Sequence, residues 1–274
     1  MVAASFYVVE DVQGADGGVI GRYRATEHTV GPWAPDLQHA GPPTALLVHA
    51  IEHLRGADTI LPPRALPARV TAEIFRPVPV TDVVVRARLR RPGRRVAWVE
   101  ADLSVASDPD APVMRAFTWL VRRAEEPMPL PPTPTSPPPP SGTAQGAPGS
   151  WGGGYLDAVS WELAAGSFAE PGPATAWTRL RVDLVDTQPT TPVEHVAIVA
   201  DAGSGISSVA DPSRLVFVNT EITLHLVREP RGEQVWMDSR TVIDPLGVGH
   251  AHTVLGDAAG AVGTADQTLF VDPR

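Results

Sequence analysis

The sequence predicts an α+β fold made twice: two antiparallel sheets, each wrapped around one central helix, joined by a proline-rich linker. Two segments, one opening at Pro42 and Pro43 and one at Pro192, are apolar on nearly every side. Each is followed by a series of alternating strand-like runs, and residues 124–150 between the two sets are crowded with proline. A helix that is apolar all round has to be covered on most sides, and a sheet formed by the strands that follow it supplies that cover. The boundaries fall at 1–123 for the first unit, 124–150 for the linker and 151–274 for the second unit.

Composition narrows the chemistry before any motif is considered. The chain has 274 residues and a formal charge of −9, with no cysteine. All 22 basic residues are arginine. Disulfides, thiolate metal sites, a cysteine nucleophile, a Schiff-base lysine and a phosphate-loop lysine are therefore excluded. Net acidity argues against nucleic-acid binding, which depends on clustered cations. No run reaches the roughly 18 apolar residues of a membrane span, and the first ten residues lack the basic start of a secretory signal. A cytoplasmic setting is expected.

In the first unit, residues 21–30 have strand character and end at Gly31-Pro32-Trp33. The helix follows, with Leu46, Leu47, Ala50, Ile51 and Leu54 at helical spacing. Strands are then expected over 68–76, 82–91, 95–107 and 113–122. Val83, Val85, Ala87 and Leu89 alternate with Arg86, Arg88 and Arg90, the pattern of a strand with one wet face. The linker, with Pro131-Pro132 and Pro137 to Pro140, reads as a solvated polyproline strap, and Gly152 to Gly154 as its hinge.

In the second unit, strands are expected over 177–186, 214–227, 234–243, 248–257 and 262–272, with the apolar helix after the first of them. Pro192 is tolerated where an amide hydrogen has no partner, and Gly203 is expected in the left-handed conformation that ends helices. Asp201 stands out in that helix's last turn. A carboxylate at the negative end of a helix dipole is disfavoured by roughly 0.3–1 kcal/mol, which invites a functional reading. The plain alternative is a solvated carboxylate that forms the turn over Ala202-Gly203-Ser204.

Spacing relates the two units. Phe75-Arg76-Pro77 matches Val227-Arg228 and Pro230 with an offset of 152, and the helix starts at Pro43 and Pro192 differ by 149. Similar offsets over two elements indicate internal duplication. A sheet wrapped around one helix is the hotdog arrangement, so the tandem copy is a double hotdog. Its sheets should join into one and leave room for a homo-oligomer.

At this point the chain resembles the double-hotdog acyl-CoA thioesterases of the TesB-like type. In the first unit the likeness rests on Gln38-His-Ala-Gly-Pro-Pro-Thr-Ala-Leu-Leu47 and Ile74-Phe-Arg-Pro-Val-Pro79. In the second it rests on Arg181-Val-Asp-Leu-Val-Asp186, Val199-Ala-Asp-Ala-Gly-Ser-Gly205, Phe217-Val-Asn-Thr-Glu-Ile-Thr-Leu-His-Leu226 and Ala265-Asp-Gln-Thr-Leu-Phe270. The resemblance implies hydrolysis of acyl-CoA to a free fatty acid and coenzyme A, a step of lipid metabolism, without metal or bound cofactor. It also implies a helix aspartate at Asp201, a glutamine at Gln267 and a Thr or Ser hydroxyl on the strand between them.

The hydroxyl position departs from that pattern. Aligning on Arg228 puts Asn219 there, with Thr220 beside it. Alternation sets Thr220 with Ile222, Leu224 and Leu226 on the apolar face that should meet the helix, and Asn219 with Glu221, Thr223 and His225 on the other. Both residues stay candidates. In this reading Asp201 acts as general base for a water, oriented by Gln267 and by Asn219 or Thr220. Backbone amides around Gly41, with the first helix's dipole behind them, are candidate donors to the thioester oxygen. Equally, Gly41 is a turn residue before two prolines.

The first unit carries Thr118 where the second has Gln267, and its helix has Glu52 as its only acid, so the site is expected once. His49 and His53, and His250 and His252, are read as structural, not as metal ligands. Arg86, Arg88, Arg90, Arg91, Arg94 and Arg95 are read as a solvated face before a coenzyme A phosphate site. Two other functions fit the fold: an acyl-CoA-binding protein without catalysis, and an enoyl-CoA hydratase. The second needs an Asp and His pair on a hydratase-type loop, which the sequence does not show.

Overall fold

The computed structural model describes residues 4–15, 18–54, 61–62, 64–131, 135–144, 153–211 and 213–274. The expectations for Pro132, residues 145–150 and Gly152 lie outside this set. In chain order the first half holds β1 (Ser5–Ala15), β2 (Gly18–Ala25), α1 (Gly41–His53), β3 (Ala65–Ile74), β4 (Asp82–Arg91), β5 (Val96–Val105) and β6 (Pro112–Arg122). The linker contributes β7 (Thr143–Ala144). The second half holds α2 (Tyr155–Ala158), β8 (Val159–Ala165), β9 (Ala174–Leu180), β10 (Asp183–Val185), α3 (Pro192–Ala200), α4 (Gly203–Ile206), β11 (Leu215–Asn219), β12 (Glu221–Leu226), β13 (Val235–Ile243), β14 (Val248–Asp257) and β15 (Gly260–Pro273).

All the strands join one sheet, in the order β10-β1-β2-β4-β5-β6-β3-β12-β15-β14-β13-β9-β8-β7, with β11 on β15 beside β12. Its halves wrap α1 and α3, where Leu46, Leu47 and Ile51 on one helix and Val196, Ile198 and Val199 on the other are fully buried. The double hotdog expected from the sequence is the observed architecture. The halves meet along β3 and β12, where Thr71 faces Thr223, its equivalent 152 positions on, and the two hydroxyls lie 3.3 Å apart. The repeat offset read from the sequence is thus the register of the seam.

Two predicted strands are broken, each for a reason. Residues 177–186 divide at Arg181 because β10 leaves its own half and pairs in parallel with β1, Ser5 against Asp183 and Tyr7 against Val185. Residues 214–227 divide at Thr220, where the chain passes from the far end of β15 to the seam with β3. The strap is largely exposed, as its composition implies, yet it is tied down. Pro140 accepts the Trp177 indole N–H at 3.2 Å, Ser136 accepts the Ala261 amide at 2.9 Å, and β7 pairs with β8.

The histidines expected to be structural pair within the fold. His49 lies 2.7 Å from Glu194 across the two helices, and the His53 ring lies 4.2 Å from it. His195 in α3 is buried, and its Nε2 is 3.2 Å from the Thr178 hydroxyl. That hydroxyl donates to Val235 O, so it accepts from an Nε2–H and His195 is the neutral tautomer. Burial, assisted by Arg179, pushes its pKa down to about 3.

The folded state therefore stays unprotonated here while the unfolded chain takes up a proton below about pH 6.5. Stability from this group is fully present above that pH and falls as pH drops toward 3, by up to about 1.4 kcal/mol per unit. Denaturant melts between pH 8 and 5 should show the decline, and His195→Leu should flatten it; equal slopes in both proteins would disprove the assignment.

Candidate active site

α3 starts on a capping box, in which the Thr191 hydroxyl accepts from the Glu194 amide and Glu194 accepts from the Thr191 amide. It ends at Asp201, still in helical conformation, and the chain continues into α4. Gly203 is therefore not the left-handed residue expected from the sequence. It is glycine because an added Cβ would stand 2.4 Å from the Thr253 hydroxyl.

The two central helices run antiparallel, since Gly41 at the start of α1 meets Ile198 near the end of α3, whereas His49 further along meets Glu194 near its beginning. A Cβ on residue 41 would stand 2.0 Å from the Ile198 carbonyl oxygen. This is a packing reason for glycine, and the cavity wall includes Gln38, His39 and Ala40 but not Gly41. Pro42 and Pro43 carry no amide hydrogen and Thr44 donates to Ala40 O, which leaves Gly41 N–H, 3.3 Å from His39 Nδ1, as the remaining donor of this helix end.

Asp201 is buried, and its carboxylate is held from three sides. Oδ1 accepts from the Asn219 amide at 2.9 Å and from Gln267 Nε2 at 3.2 Å. Oδ2 lies 2.7 Å from His39 Nδ1. At that distance from a carboxylate Nδ1 carries the proton and donates. It then has no lone pair for the Gly41 amide 3.3 Å away. These donors offset the unfavourable end of the α3 dipole, and the start of α1 adds its own positive end.

Each partner is itself fixed. Gln267 Nε2 also donates to the Asp201 carbonyl, and its Oε1 accepts from the Ser204 amide, so one side chain closes the end of α3 and opens α4. His39 is anchored through its amide to Thr29 O, and its ring stacks on Tyr155 at 3.7 Å and 7°. The Tyr155 hydroxyl donates to Ile198 O. Burial, and the Asp201 charge after it, raise the Tyr155 pKa far above the phenol range, which keeps it a donor. Before His39, Gln38 accepts from the Tyr7 hydroxyl at 2.6 Å and donates to Pro79 O at 2.7 Å.

Of the two candidates on the strand, Asn219 reaches Asp201 and Thr220 does not. At the strand break Thr220 is exposed, still among the residues that line the cavity, and its hydroxyl lies 3.5 Å from Thr268 O. The expectation that Thr220 shares the buried face of Ile222 and Leu224 fails because alternation does not carry across that break.

The cavity in front of this cluster measures ≈ 380 Å³. Its walls are mostly apolar, with Trp33 edge-on to Phe217 at 4.9 Å, and with Phe75, Phe168 and Ile206. Among the described residues, Asp201 is its only acid and Arg76 its only arginine. None of the six arginines on the β4–β5 hairpin lines it. Among the described residues no group of three His, Asp or Glu side chains is placed to hold a metal ion. Sequence reasoning missed His39 as a site residue; its only signal was its place beside Gly41-Pro42-Pro43.

Comparison with known proteins bears on the family and the fold. A family model described as "Acyl-CoA thioesterase C-terminal domain" matches residues 130–271, and one described as "Acyl-CoA thioesterase N-terminal domain" matches residues 29–121. Among solved structures, a putative thioesterase II from Thermobifida fusca superposes with a TM-score of 0.71 at 16% identity, covering 96% of this chain and 95% of that one. A hot dog fold protein from Alicyclobacillus acidocaldarius superposes with a TM-score of 0.69 at 14% identity, over 96% of each chain. The tesB protein of Mycobacterium avium subs paratuberculosis gives 0.66 at 14% identity, also over 96% of each. These likenesses establish the shared fold. No curated protein matches the chain.

Gly41→Ala should force the helices apart at Ile198 and lower the unfolding free energy by about 1–3 kcal/mol, the usual effect of overpacking. A denaturant melt indistinguishable from that of the unmodified protein would contradict the close approach.

Proposed function

Because the chain belongs to the acyl-CoA thioesterase family and is a thioester hydrolase acting on acyl-CoA, we propose that Asp201 is the source of basicity that makes a cavity water nucleophilic. The observation that carries this reading is a single buried carboxylate, held by three donors, at the wall of a mostly apolar cavity. A thioester needs a dry acyl slot, a nucleophilic water and donors for the oxygen that becomes negative. Trp33, Phe75, Phe168 and Phe217 suit the acyl chain.

In this proposal Asn219 takes the place of the hydroxyl found in the resembling enzymes, fixing the carboxylate and orienting the water. Gln267 lies behind Asp201, outside the cavity wall, and is a positioning residue. The Gly41 amide, 3.3 Å from a His39 Nδ1 that donates to Asp201 and so has no lone pair for it, is the proposed donor to the developing oxyanion. Arg76 at the cavity is placed for a phosphate of coenzyme A, the role first considered for the hairpin arginines. We place the reaction in cytoplasmic lipid metabolism, where acyl-CoA esters are formed and consumed. Among the described residues no helix is long and apolar enough to cross a membrane.

The test is release of free coenzyme A from acyl-CoA esters of increasing chain length. Asp201→Ala should reduce kcat by about 100-fold or more with its melting curve preserved, and Asn219→Ala should lose more than Thr220→Ala. Saturable acyl-CoA binding without release from any ester would instead leave a binding protein. In the same assay Arg76→Ala should raise KM with kcat little changed, as loss of uniform binding does; an unchanged KM would remove Arg76 from the coenzyme A site.

A further inference from the structure

We infer that Phe168, on the loop between β8 and β9, is the stop that sets acyl length, so that the cavity takes short and medium unsubstituted acyl groups and turns long ones away. The inference rests on the thioesterase reading and deepens it, by naming the substrate class and the side chain that selects it.

The cavity has an open side and a closed one. Trp33, Phe75 and Val218 on its wall are 43%, 52% and 46% exposed, and Arg76 beside them is exposed too. Elsewhere on the same wall Ile206 is 3% exposed, and Leu156 and Phe168 pack against the main core. Burying the charged phosphates of coenzyme A is costly, so they stay on the open side with Arg76 and the acyl chain runs toward the closed one. Asp201 lines the cavity as well, and the thioester is held there, between head and tail.

Phe168 is backed so that it does not yield to a longer chain. Its ring stands edge-on to Trp161 at 5.9 Å and 88°, and the buried Trp161 donates its indole N–H to Leu156 O at 3.3 Å. Trp161 in turn meets Tyr155 at 6.3 Å, and Tyr155 stacks on His39. A line of rings thus fixes the stop relative to the site. The loop is pinned on either side of the ring, because the Gly172 amide donates to Ser208 O at 3.0 Å and the Ala169 amide to the Ser167 hydroxyl at the same distance. Packing of this kind meets added volume with strain.

Size and chemistry narrow the ligand further. The cavity's ≈ 380 Å³ lies near the lower end of the roughly 300–1,000 Å³ of small-molecule sites, and part of it holds the water and the thioester. Little is left for the tail. Leu156, Phe168 and Ile206 offer no side-chain hydrogen bond, so a terminal hydroxyl or carboxylate on the acyl group would go unpaired against them.

The test compares coenzyme A release from butyryl-, octanoyl- and palmitoyl-CoA, with kcat/KM taken as a ratio between esters so that a general loss of folding or activity cancels. The unmodified protein should favour octanoyl- over palmitoyl-CoA by about tenfold or more, and Phe168→Ala should raise the palmitoyl-to-octanoyl ratio by about tenfold or more. Phe168→Trp should act in the opposite sense and lower the octanoyl-to-butyryl ratio. Equal use of palmitoyl- and octanoyl-CoA by the unmodified protein, or ratios that neither substitution moves, would overturn the inference. If no ester is hydrolysed, the thioesterase reading fails by itself, and non-hydrolysable thioether analogues of the same esters carry the comparison. Affinities whose order shifts with residue 168 then support the stop, and an unshifted order dismisses it.

Discussion

The structure depends on the antiparallel contact between α1 and α3, and above all on the approach of Gly41 to the Ile198 carbonyl. Only a residue without a Cβ allows it, since that atom would sit 2.0 Å from the oxygen. The contact sets the start of α1 against the end of α3, so a helix end with an open amide and a positive dipole meets the helix end that bears Asp201. A carboxylate that a lone helix would tolerate poorly thereby gains its surroundings. At the opposite end of the same helix pair, His49 meets Glu194 with both side chains almost wholly buried, and the Thr191 hydroxyl donates to Glu52 at 2.9 Å. A buried pair of this type adds little net stability yet is expensive to break. It therefore opposes any sliding of two apolar helices that would carry Gly41 away from Ile198.

The same duplicated geometry is filled differently in the two halves. Thr71 and Thr223 face each other on the seam, so each half offers an equivalent helix end and an equivalent strand position. In the first half those positions hold Glu52 and Thr118. Glu52 is bound by Thr191, while the Thr118 hydroxyl is buried without a hydrogen-bond partner among the described residues. Gln267, by contrast, makes three bonds that tie Asp201 to α4. One copy frames its carboxylate with a glutamine, and the other sets a partly buried carboxylate against a hydroxyl and buries a threonine in the glutamine's place.

How far the sequence could be read follows from which constraints are local. Strand alternation is imposed by one face being wet, so β4, with its arginines set against valines, was legible to the residue. Helix α1 was legible because its apolar spacing follows two prolines. The break at Thr220 was not, since it arises from β11 and β12 meeting different stretches of β15, a contact across the sheet and not along the chain. Nor was the migration of β10 onto β1, which joins residues far apart in sequence. Asp201 stood out as a carboxylate at the negative end of an apolar helix, and Gln267 came by resemblance. His39 belongs to the same motif as Gly41, but nothing in its neighbours reveals that a carboxylate 162 positions on will meet it.

Asn219 shows how a departure from a motif can preserve its physics. A hydroxyl at this position donates once and accepts with the same oxygen. The amide divides those tasks: Nδ2 donates to Asp201 at 2.9 Å and lies 3.4 Å from Glu221 O, which leaves Oδ1 as a separate acceptor. The strand break is part of this arrangement, because a continuous strand would have presented Thr220 to the helix and turned Asn219 outward. The bend exchanges their roles, so the longer side chain reaches the carboxylate from a partly buried position and the shorter one stays exposed at the cavity wall. The identity of the residue and the irregularity of the strand are therefore one feature: a side chain of amide length suits a backbone that has bent away from the regular register.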